Sequence, residues 1–243
     1  MPRLSINVNK VATLRNSRGG TEPCPIAAAL DCQGYGAQGI TVHPRPDERH
    51  IRRTDVLSLS KKLSVDLNVE GYPSEDYIHL IHEIRPQQVT LVPDPPHVLT
   101  SEVGWDLSKK ASFLQKIIPR FKQKGIRVSI FLDPDLKQLS YLKETDTDCV
   151  EFHTGHYAKI YPQDKKKAVA PYVRVAKKVQ SLGLRVHVGH DLNLKNIAYL
   201  ISSLPICHEL SVGHAFISDA LRFGLSNTVA LYLRAIRDAI PSV

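Results

Sequence analysis

The sequence of 243 residues lacks any hydrophobic run near the roughly 20 residues that a membrane-spanning helix needs, and its first residues include no long apolar segment. We therefore expect neither a membrane anchor nor a signal peptide. The cysteines are scattered, and no Cys-x-x-Cys pair occurs among Cys24, Cys32, Cys149 and Cys207. This spacing is typical of reduced thiols and not of a disulfide framework, so we expect a cytoplasmic protein with no membrane partner.

Motifs for metals and cofactors are also missing. No His-x-His pair occurs, and the spacing of His153-x-x-His156 and of His187-x-x-His190 places the two imidazoles on opposite faces of a strand. No Gly-x-Gly-x-x-Gly follows the first predicted strand, and no P-loop is present. No lysine lies inside a predicted strand to form a Schiff base, and only Lys10 lies close to one. We predict neither a metal nor a cofactor.

Acidic residues are too few to balance the basic ones. The chain has 32 Lys and Arg against 24 Asp and Glu, which gives a net charge of +8. This excess favours anionic partners, either nucleic acid or phosphorylated small molecules. No RNA-binding aromatic signature or zinc-finger spacing accompanies the basic runs, which we interpret as solvated helix faces. Phosphorylated small molecules are therefore the preferred partners, and we expect no nucleic acid.

Short β-rich runs alternate with amphipathic helical patterns along the whole sequence. This α/β alternation, in eight strand-then-helix units, predicts a single-domain (β/α)8 TIM barrel over residues 1–243. A doubly wound open sheet stays possible. The predicted strands are 3–9, 39–44, 65–71, 88–93, 127–133, 149–155, 185–191 and 208–214.

Polar side chains recur at every second position near the carboxyl ends of these strands. Thr41, His43 and Arg45 share one side of the second strand, while the opposite side is apolar. Strands of a parallel barrel are normally apolar on both faces, so buried polar groups there are costly unless they meet a ligand or one another. The carboxyl ends meet at one mouth, where barrel enzymes have their active sites. The candidates at this mouth are His43, Glu70, Glu151, His153, His190 and His214, with Arg18, Arg45 and Arg49 nearby.

Carboxylates and imidazoles in one partly desolvated pocket indicate proton transfer near neutral pH. Anion-binding candidates lie in the loops that follow the strands. Arg18 follows the first strand, Arg45 and His50 follow the second, and Gly213 ends the eighth just before a helical run. Loops after the seventh and eighth strands, together with a helix N-terminus, often bind phosphate in these barrels.

These motifs resemble the pyridoxine 5′-phosphate synthase family. The resemblance begins with Asn7-Val8-Asn9, ATLRN (12–16) and Arg18-Gly19, and continues with GITVHPRPDERHI (39–51), whose His-x-Arg-x-Asp-x-Arg-His frame is highly specific. It covers nearly the whole chain, and the further motifs follow in the family's order. They are NVEGY (68–72), VTLVPD (89–94), TSEVGWD (100–106), VEFHTG (150–155), VGHDL (188–192) and ELSVGHAFISDA (209–220).

The resemblance implies a (β/α)8 barrel with additional helices, assembled as an octamer. The implied reaction condenses 3-amino-2-oxopropyl phosphate with 1-deoxy-D-xylulose 5-phosphate to give pyridoxine 5′-phosphate, phosphate and water without a cofactor. His43 and Glu70 would accept protons, His190 would donate one, and Glu151 would stabilise charge in the transition states.

The resemblance also implies which residues bind each substrate. The deoxyxylulose phosphate would be held by Arg45, His50 and Thr100. The amino-ketone phosphate would be held by Asn7, Arg18, Gly213 and His214.

Three positions depart from the commoner family pattern. Asn9 and Lys10 stand where Asp and His are usual, and Asp191 stands where Gly is usual. We include all three among the substrate-binding candidates. Neither Asn9 nor Lys10 titrates near neutral pH unless it is strongly perturbed, and Asp191 could instead cap a helix that starts near Asn193.

Other functions stay open at this point. A barrel isomerase or aldolase acting on one phosphorylated sugar would need only one phosphate pocket. A non-catalytic barrel that binds phosphate or nucleic acid would not need the proton-transfer groups. The segment DPPHVLTSEVGWD (94–106) is a candidate lid, and a proline-rich structural connection is an equally simple interpretation.

Overall fold

A computed structural model describes residues 1–94 and 103–240. Eight parallel strands form a closed barrel, each paired with its neighbours in chain order and β1 paired with β8. This architecture confirms the predicted (β/α)8 barrel and excludes the open sheet. The strands are β1 (Arg3–Asn7), β2 (Gly39–Val42), β3 (Asp66–Gly71), β4 (Gln88–Leu91), β5 (Arg127–Leu132), β6 (Cys149–His153), β7 (Arg185–Gly189) and β8 (Glu209–Val212).

Helices surround the barrel, and several connections carry more than one helix. They are α1 (Asn9–Asn16), α2 (Pro25–Gly34), α3 (Arg53–Lys62), α4 (Glu75–Ile84), α5 (Leu107–Lys122), α6 (Leu139–Leu142), α7 (Gly155–Ile160), α8 (Lys165–Ser181), α9 (Ile197–Ser203), α10 (His214–Phe223) and α11 (Leu225–Asp238). Additional helices thus lie after β1, β6 and β8, as the family resemblance predicted. Within the described residues, no helix is both long and apolar enough to cross a membrane.

The two faces of each strand differ in chemistry. The side chains that point outward are apolar and pack beneath the helices. Examples without solvent exposure are Ile6, Ile40, Val69 and Phe152. The inward parity is largely polar along the whole length of the barrel, not only at the carboxyl ends, and Phe131 of β5 is an apolar exception. The interior therefore has to satisfy its polar groups internally.

Hydrogen bonds between side chains link the middle of the barrel interior. The Ser5 and Thr41 hydroxyl groups lie 2.7 Å apart, and Asn68 Nδ2 donates to Thr41 Oγ1 over 3.4 Å. The Thr90 hydroxyl lies 3.1 Å from Asn68 Oδ1 and 3.3 Å from Glu151 Oε2. Five strands are thus joined across the barrel just below the mouth.

Ion pairs close the opposite, amino-terminal end of the barrel. Arg3 contacts both Asp66 and Glu209 at 2.6 Å, and Arg127 also contacts Asp66 at 2.6 Å. Gln88 joins this cluster through Arg127 and Glu209. These contacts connect five strands at the end that lies away from the mouth.

Most strands end earlier than predicted. The first prediction, 3–9, was wrong at its end because Asn7 Oδ1 accepts a hydrogen bond from the Asn9 N–H at 3.0 Å and turns the chain into α1. Asn9 and Lys10 therefore begin a helix, and Arg18 follows that helix. His43 and His190 likewise lie just beyond β2 and β7.

Candidate active site

The centre of the site is a buried imidazole facing a buried carboxylate. His43 follows β2 and Glu70 lies near the end of β3, and their side chains are about nine-tenths buried. His43 Nδ1 lies 3.6 Å from Glu70 Oε2. Both side chains are largely removed from water. The structure therefore brings together the two predicted proton acceptors.

A short chain of contacts fixes the backbone beneath His43. The His43 N–H donates to Asn9 Oδ1 at 3.0 Å, and the Asn9 N–H donates to Asn7 Oδ1 at 3.0 Å. A Cβ atom at Gly213 would lie 3.2 Å from Asn7 Cβ, so Gly213 allows β8 to approach β1 closely. Asn9, which departs from the family pattern, thus supports His43 through its amide oxygen.

Glu151 is the most deeply buried carboxyl group of the site. It projects inward from β6, where Thr90 Oγ1 donates to its Oε2 at 3.3 Å. Burial raises the pKa of Glu151 well above its usual range, the nearby Glu70 and Glu209 carboxylates raise it further, and the Thr90 hydrogen bond opposes them. This environment favours the protonated form of Glu151, in which the group can donate a hydrogen bond.

A cavity of about 340 Å³ opens beside the mouth, between β2, β3 and α4. His43, Arg45 and Asp94 line its inner end, and Tyr72 and Tyr77 are among the residues of its wall. Arg45 is almost completely buried, and its guanidinium donates to Asp94 Oδ2 at 3.0 Å. This cavity is large enough for a small phosphorylated molecule and carries a cation at its base.

His50 is held in one tautomer. The Ile51 N–H donates to His50 Nδ1 at 2.9 Å, so Nδ1 is an acceptor and Nε2 carries the hydrogen. Burial lowers the pKa of His50 to about 4, with further lowering from His43, Arg45, Lys10 and Arg49. His50 therefore offers a neutral N–H donor toward the site at neutral pH.

His190 lies beyond β7 with its backbone in the left-handed region at φ +80°, and Asp191 follows at φ +54°. The His190 ring packs between Phe131, at 5.0 Å, and His153, at 5.3 Å. Burial lowers the pKa of His190, the Glu70 carboxylate raises it, and His153 lowers it. The capping role considered for Asp191 was wrong, because α9 begins only at Ile197 and Asp191 contributes a backbone carbonyl that accepts from Asn196 Nδ2 at 3.2 Å.

The remaining substrate-binding candidates lie around the mouth. Lys10 is half-buried in the first turn of α1, and Arg18 is exposed in the turn that follows α1. Gly213 precedes α10, and His214 is its first residue. Thr100 lies outside the described residues, as does most of the candidate lid at 94–106. Arg49 forms an ion pair with Asp47 of the same loop at 2.8 Å.

Two residues of the site were missed in the sequence. Thr90 lies at an inward position of β4, and the period-2 pattern with Gln88 could have identified it. Asp94 follows β4 and is buried against Arg45, but only the folded chain brings these two residues together. Among the described residues, no group of His, Cys, Asp and Glu side chains has the arrangement of a metal site.

Comparison with known proteins identifies relatives over almost the full length. Residues 4–238 match the family described as pyridoxal phosphate biosynthesis protein PdxJ. The chain is 53% identical over 232 residues to pyridoxine 5′-phosphate synthase of Porphyromonas gingivalis, which covers 96% of this chain and 98% of that protein. It is 48% identical over 237 residues to the Phocaeicola vulgatus protein of the same name, covering 98% of this chain and all of the relative.

Solved structures with a similar fold are much more distant in sequence. A 3-keto-L-gulonate-6-phosphate decarboxylase from Vibrio cholerae superposes with a TM-score of 0.66 at 10% identity, covering 99% of each chain. Phosphoribosylanthranilate isomerase from Thermotoga maritima superposes with a TM-score of 0.59 at 12% identity, covering 98% of this chain and all of that one. At such low identity these structures support the barrel fold and nothing further.

Proposed function

The chain belongs to the family of pyridoxal phosphate biosynthesis protein PdxJ, and we propose that it acts as a pyridoxine 5′-phosphate synthase. It is an enzyme of pyridoxine biosynthesis. The substrates are 3-amino-2-oxopropyl phosphate and 1-deoxy-D-xylulose 5-phosphate, and the products are pyridoxine 5′-phosphate, phosphate and water. The relatives' name implies these substrates, and the basic residues predicted to bind two phosphate groups at the mouth support the proposal.

One observation carries the catalytic part of the proposal. His43 Nδ1 faces Glu70 Oε2 at 3.6 Å, with both groups buried and Arg45 beside His43 in the same cavity. Closing a pyridine ring from an amine and ketones requires imine formation, dehydration and tautomerisation, each with proton transfer. A buried acid–base pair next to a cation can both transfer protons and bind the phosphate group of a reactant.

The other carboxyl group and imidazole of the site have distinct roles. Glu151 retains its proton and presents a neutral acid to oxygen atoms that gain negative charge. His190, packed against Phe131 and His153, donates a proton to a leaving oxygen. The two carboxyl groups and the two imidazoles of the cleft thus lie in separate environments and have separate roles.

The two phosphate groups are held at different parts of the mouth. Arg45 and the neutral Nε2–H of His50 bind the deoxyxylulose phosphate, and Thr100 joins them. Asn7, Arg18, Gly213 and His214 bind the amino-ketone phosphate near the N-terminus of α10, where backbone N–H groups favour an anion. Holding both substrates in one cleft gives the orientation advantage that a two-substrate condensation needs.

A turnover assay with both substrates tests the proposal. Pyridoxine 5′-phosphate and released phosphate should form together, and neither should form when one substrate is omitted. Glu70→Gln should lower kcat by at least about 100-fold because it removes a proton acceptor. The matched control Glu144→Gln changes an exposed carboxylate between α6 and β6 and should retain native turnover.

Lys10, one of the three unusual positions, is tested in the same assay. Lys10→Ala should raise KM while leaving kcat nearly unchanged, because Lys10 contributes positive charge at the mouth and is no proton-transfer group. Binding of both substrates to the native chain without any product would contradict the synthase proposal. In that case Asn9, Lys10 and Asp191 would indicate that the site catalyses a different reaction.

Self-association as an octamer and location in the cytoplasm complete the proposal. Apolar side chains of α10 and α11 are exposed, with Leu221 78% and Phe223 41% accessible, and a partner subunit would cover them. All four cysteines are free thiols, which suits a reducing compartment. Light scattering should give the mass of an octamer for the native chain and a smaller assembly for Leu221→Asp. A monomeric native chain would contradict this assembly.

A further inference from the structure

The end of β6 contacts His190 but has no place in the chemistry described above. His153 is the last residue of β6, Thr154 follows it, and Gly155 begins α7. His153 and Thr154 are largely or fully buried. Both contact the segment that contains His190: the His153 ring contacts the His190 ring, and the Thr154 N–H and hydroxyl contact backbone carbonyls of the segment.

The backbone at His190 adopts a conformation that costs free energy for residues other than glycine. His190 has φ +80° and Asp191 has φ +54°, so two consecutive side-chain-bearing residues lie in the left-handed region. Such a conformation persists only where its surroundings impose it. Something in the structure must therefore hold this segment.

Thr154 provides the main restraint on this backbone. Its N–H and its hydroxyl both donate to the Gly189 carbonyl, at 2.9 Å and 2.6 Å. The same hydroxyl also lies within hydrogen-bond distance of the His190 carbonyl. Asn196 Nδ2 adds a contact to the Asp191 carbonyl at 3.2 Å. Three successive carbonyls are thus held by side chains from outside the segment.

His153 restrains the imidazole of His190. The two rings meet at 5.3 Å in an edge-to-face arrangement with an interplanar angle of 88°. Phe131 contacts both rings, at 5.3 Å from His153 and 5.0 Å from His190. The three rings form a packed cluster in which His190 has few other orientations.

His153 is itself held in place. Its Nδ1 lies 3.1 Å from Asp133 Oδ1, and Asp133 Oδ2 accepts from the Gly104 N–H at 2.9 Å. Although burial opposes it, the hydrogen bonds from His153 and from Gly104 lower the pKa of Asp133, so the carboxylate stays charged. A Cβ atom at Gly155 would lie 2.6 Å from His153 Nε2, so only glycine leaves room for this ring position.

We propose that His153 and Thr154 are positioning residues for His190, with Thr154 fixing its backbone and the Asp133–His153 pair fixing its ring. The inference rests on the proposed function insofar as His190 is the proton donor of the reaction. Neither residue needs to contact the substrates. Their contribution is to aim the His190 ring at the position where a leaving oxygen gains negative charge.

The electrostatics around His190 make this role measurable. Burial lowers the pKa of His190, and His153 lowers it further. The surrounding carboxylates of Glu70, Asp191 and Asp94 raise it. Replacing His153 by a neutral amide removes one of the groups that lower the pKa. The titration of His190 should then move to higher pH, and because a proton donor must be protonated to act, the alkaline limb of the kcat profile should move with it.

Paired substitutions at Thr154 test the backbone part of the proposal. Thr154→Ser keeps the hydroxyl, whereas Thr154→Val keeps the shape and loses it. We expect Thr154→Val to lower kcat by about 10- to 100-fold with little change in KM, and Thr154→Ser to restore most of the activity. Equal kcat values for a folded Thr154→Val variant and the native chain would overturn this part.

Nuclear magnetic resonance of ring-labelled histidine tests the ring part without any substrate. The His190 signal is identified by its loss in His190→Gln, and its titration is then followed in the native chain and in His153→Asn. The midpoint should rise in His153→Asn and stay unchanged in His79→Gln, which replaces an exposed histidine of α4. An unchanged His190 midpoint in His153→Asn would overturn the proposal, even if Thr154→Val fails to fold.

The two readouts separate this inference from the proposed function. A native chain without product, together with a shifted His190 midpoint in His153→Asn, would reject the synthase and keep the positioning. An active native chain whose kcat is unaffected by Thr154→Val and whose His190 midpoint is unaffected by His153→Asn would keep the synthase and reject the positioning.

Discussion

Gly189 leaves free the space that the Glu151 carboxyl group occupies inside the barrel. A Cβ atom at Gly189 would clash directly with Glu151 Oε1 and would lie 3.4 Å from Ser211 Cβ. Glu151 would have to turn away, and its contact with Thr90 would be lost. Because the end of a side chain moves more easily than a strand, the change should affect function more than folding.

Gly189→Ala should therefore lower kcat by about 10- to 100-fold while shifting Tm by only a few degrees. Steady-state kinetics and thermal unfolding measure the two effects. Gly34→Ala is the matched control, since it adds a Cβ atom at the end of α2 with no atom within 4 Å. Normal turnover of Gly189→Ala, beside impaired turnover of Glu151→Gln, would show that the glycine does not position the carboxyl group.

Single residues of the site differ in how far the sequence reveals them. His43 and Glu70 could be predicted because strand periodicity and strand order place their side chains at one mouth. The buried pairing of Arg45 with Asp94 and the tautomer of His50 could not be predicted. Both depend on distances between atoms of different segments, and the second depends on one backbone N–H, that of Ile51.

Among the secondary-structure elements, α1 and α3 form a clamp on the loop that carries His50. Arg15 of α1 makes two hydrogen bonds to Asp55 of α3, at 2.7 Å and 2.9 Å, with both side chains almost fully buried. Arg15 also donates to the His50 carbonyl at 3.0 Å. Asp55 accepts from the Arg52 N–H at 2.8 Å at the start of α3. One buried ion pair thus joins two helices to the loop that carries His50.

Breaking this clamp should destabilise the chain and weaken substrate binding together. Asp55→Asn should reduce the free energy of unfolding by about 3–5 kcal/mol, because it leaves the Arg15 charge buried without its partner. Urea unfolding measures this loss, and an increased KM for the deoxyxylulose phosphate should accompany it.

The exposed ion pair between Arg53 and Glu83 provides the control for the clamp. Glu83→Gln should change the free energy of unfolding by less than about 1 kcal/mol, since solvent screens this pair. Replacing both clamp residues, as Arg15→Met with Asp55→Asn, should cost less than Asp55→Asn alone. The double variant could instead lose as much free energy of unfolding as Arg15→Met and Asp55→Asn lose together. In that case the unpaired buried charge would not be the cause of the destabilisation.

The order of the strands and helices was predictable, and their ends were less so. Alternating β and α patterns identify the barrel, since few other folds use that many units in sequence. The end of β1 depended on the side chain of Asn7, which captures the Asn9 N–H and starts α1. Such local contacts between a side chain and the backbone end a strand earlier than its alternation of polar and apolar residues predicts. That alternation alone does not show where these contacts form.

At the scale of the whole molecule, the two ends of the barrel have different roles. The amino-terminal end is closed by ion pairs among Arg3, Asp66, Arg127 and Glu209, which contact one another directly. At the carboxyl-terminal end, Arg45 and Arg53 line a cavity together with the carboxylates of Glu48, Asp76 and Asp94, and Arg45 pairs with Asp94. Charges that pair with one another away from the mouth stabilise the barrel, whereas charged groups that face a cavity can also contact a ligand.

This arrangement predicts that salt will slow the capture of substrates. The chain has a net charge of +8, and both substrates are anionic phosphates. Raising the NaCl concentration from about 50 to about 500 mM should lower kcat/KM severalfold, because screening weakens the attraction between them. The value of kcat should change much less, since His43 and Glu70 are buried and screened less.

Two lysine variants with the same change in net charge separate local from general attraction. Lys10→Gln removes a charge at the mouth, and Lys177→Gln removes one from the second half of α8, which runs toward the amino end of β7. Lys10→Gln should weaken the salt dependence of kcat/KM, and Lys177→Gln should leave it nearly unchanged. If both variants changed the salt dependence of kcat/KM equally, the net charge of the whole protein would attract the substrates, and the position of the charge at the mouth would not matter.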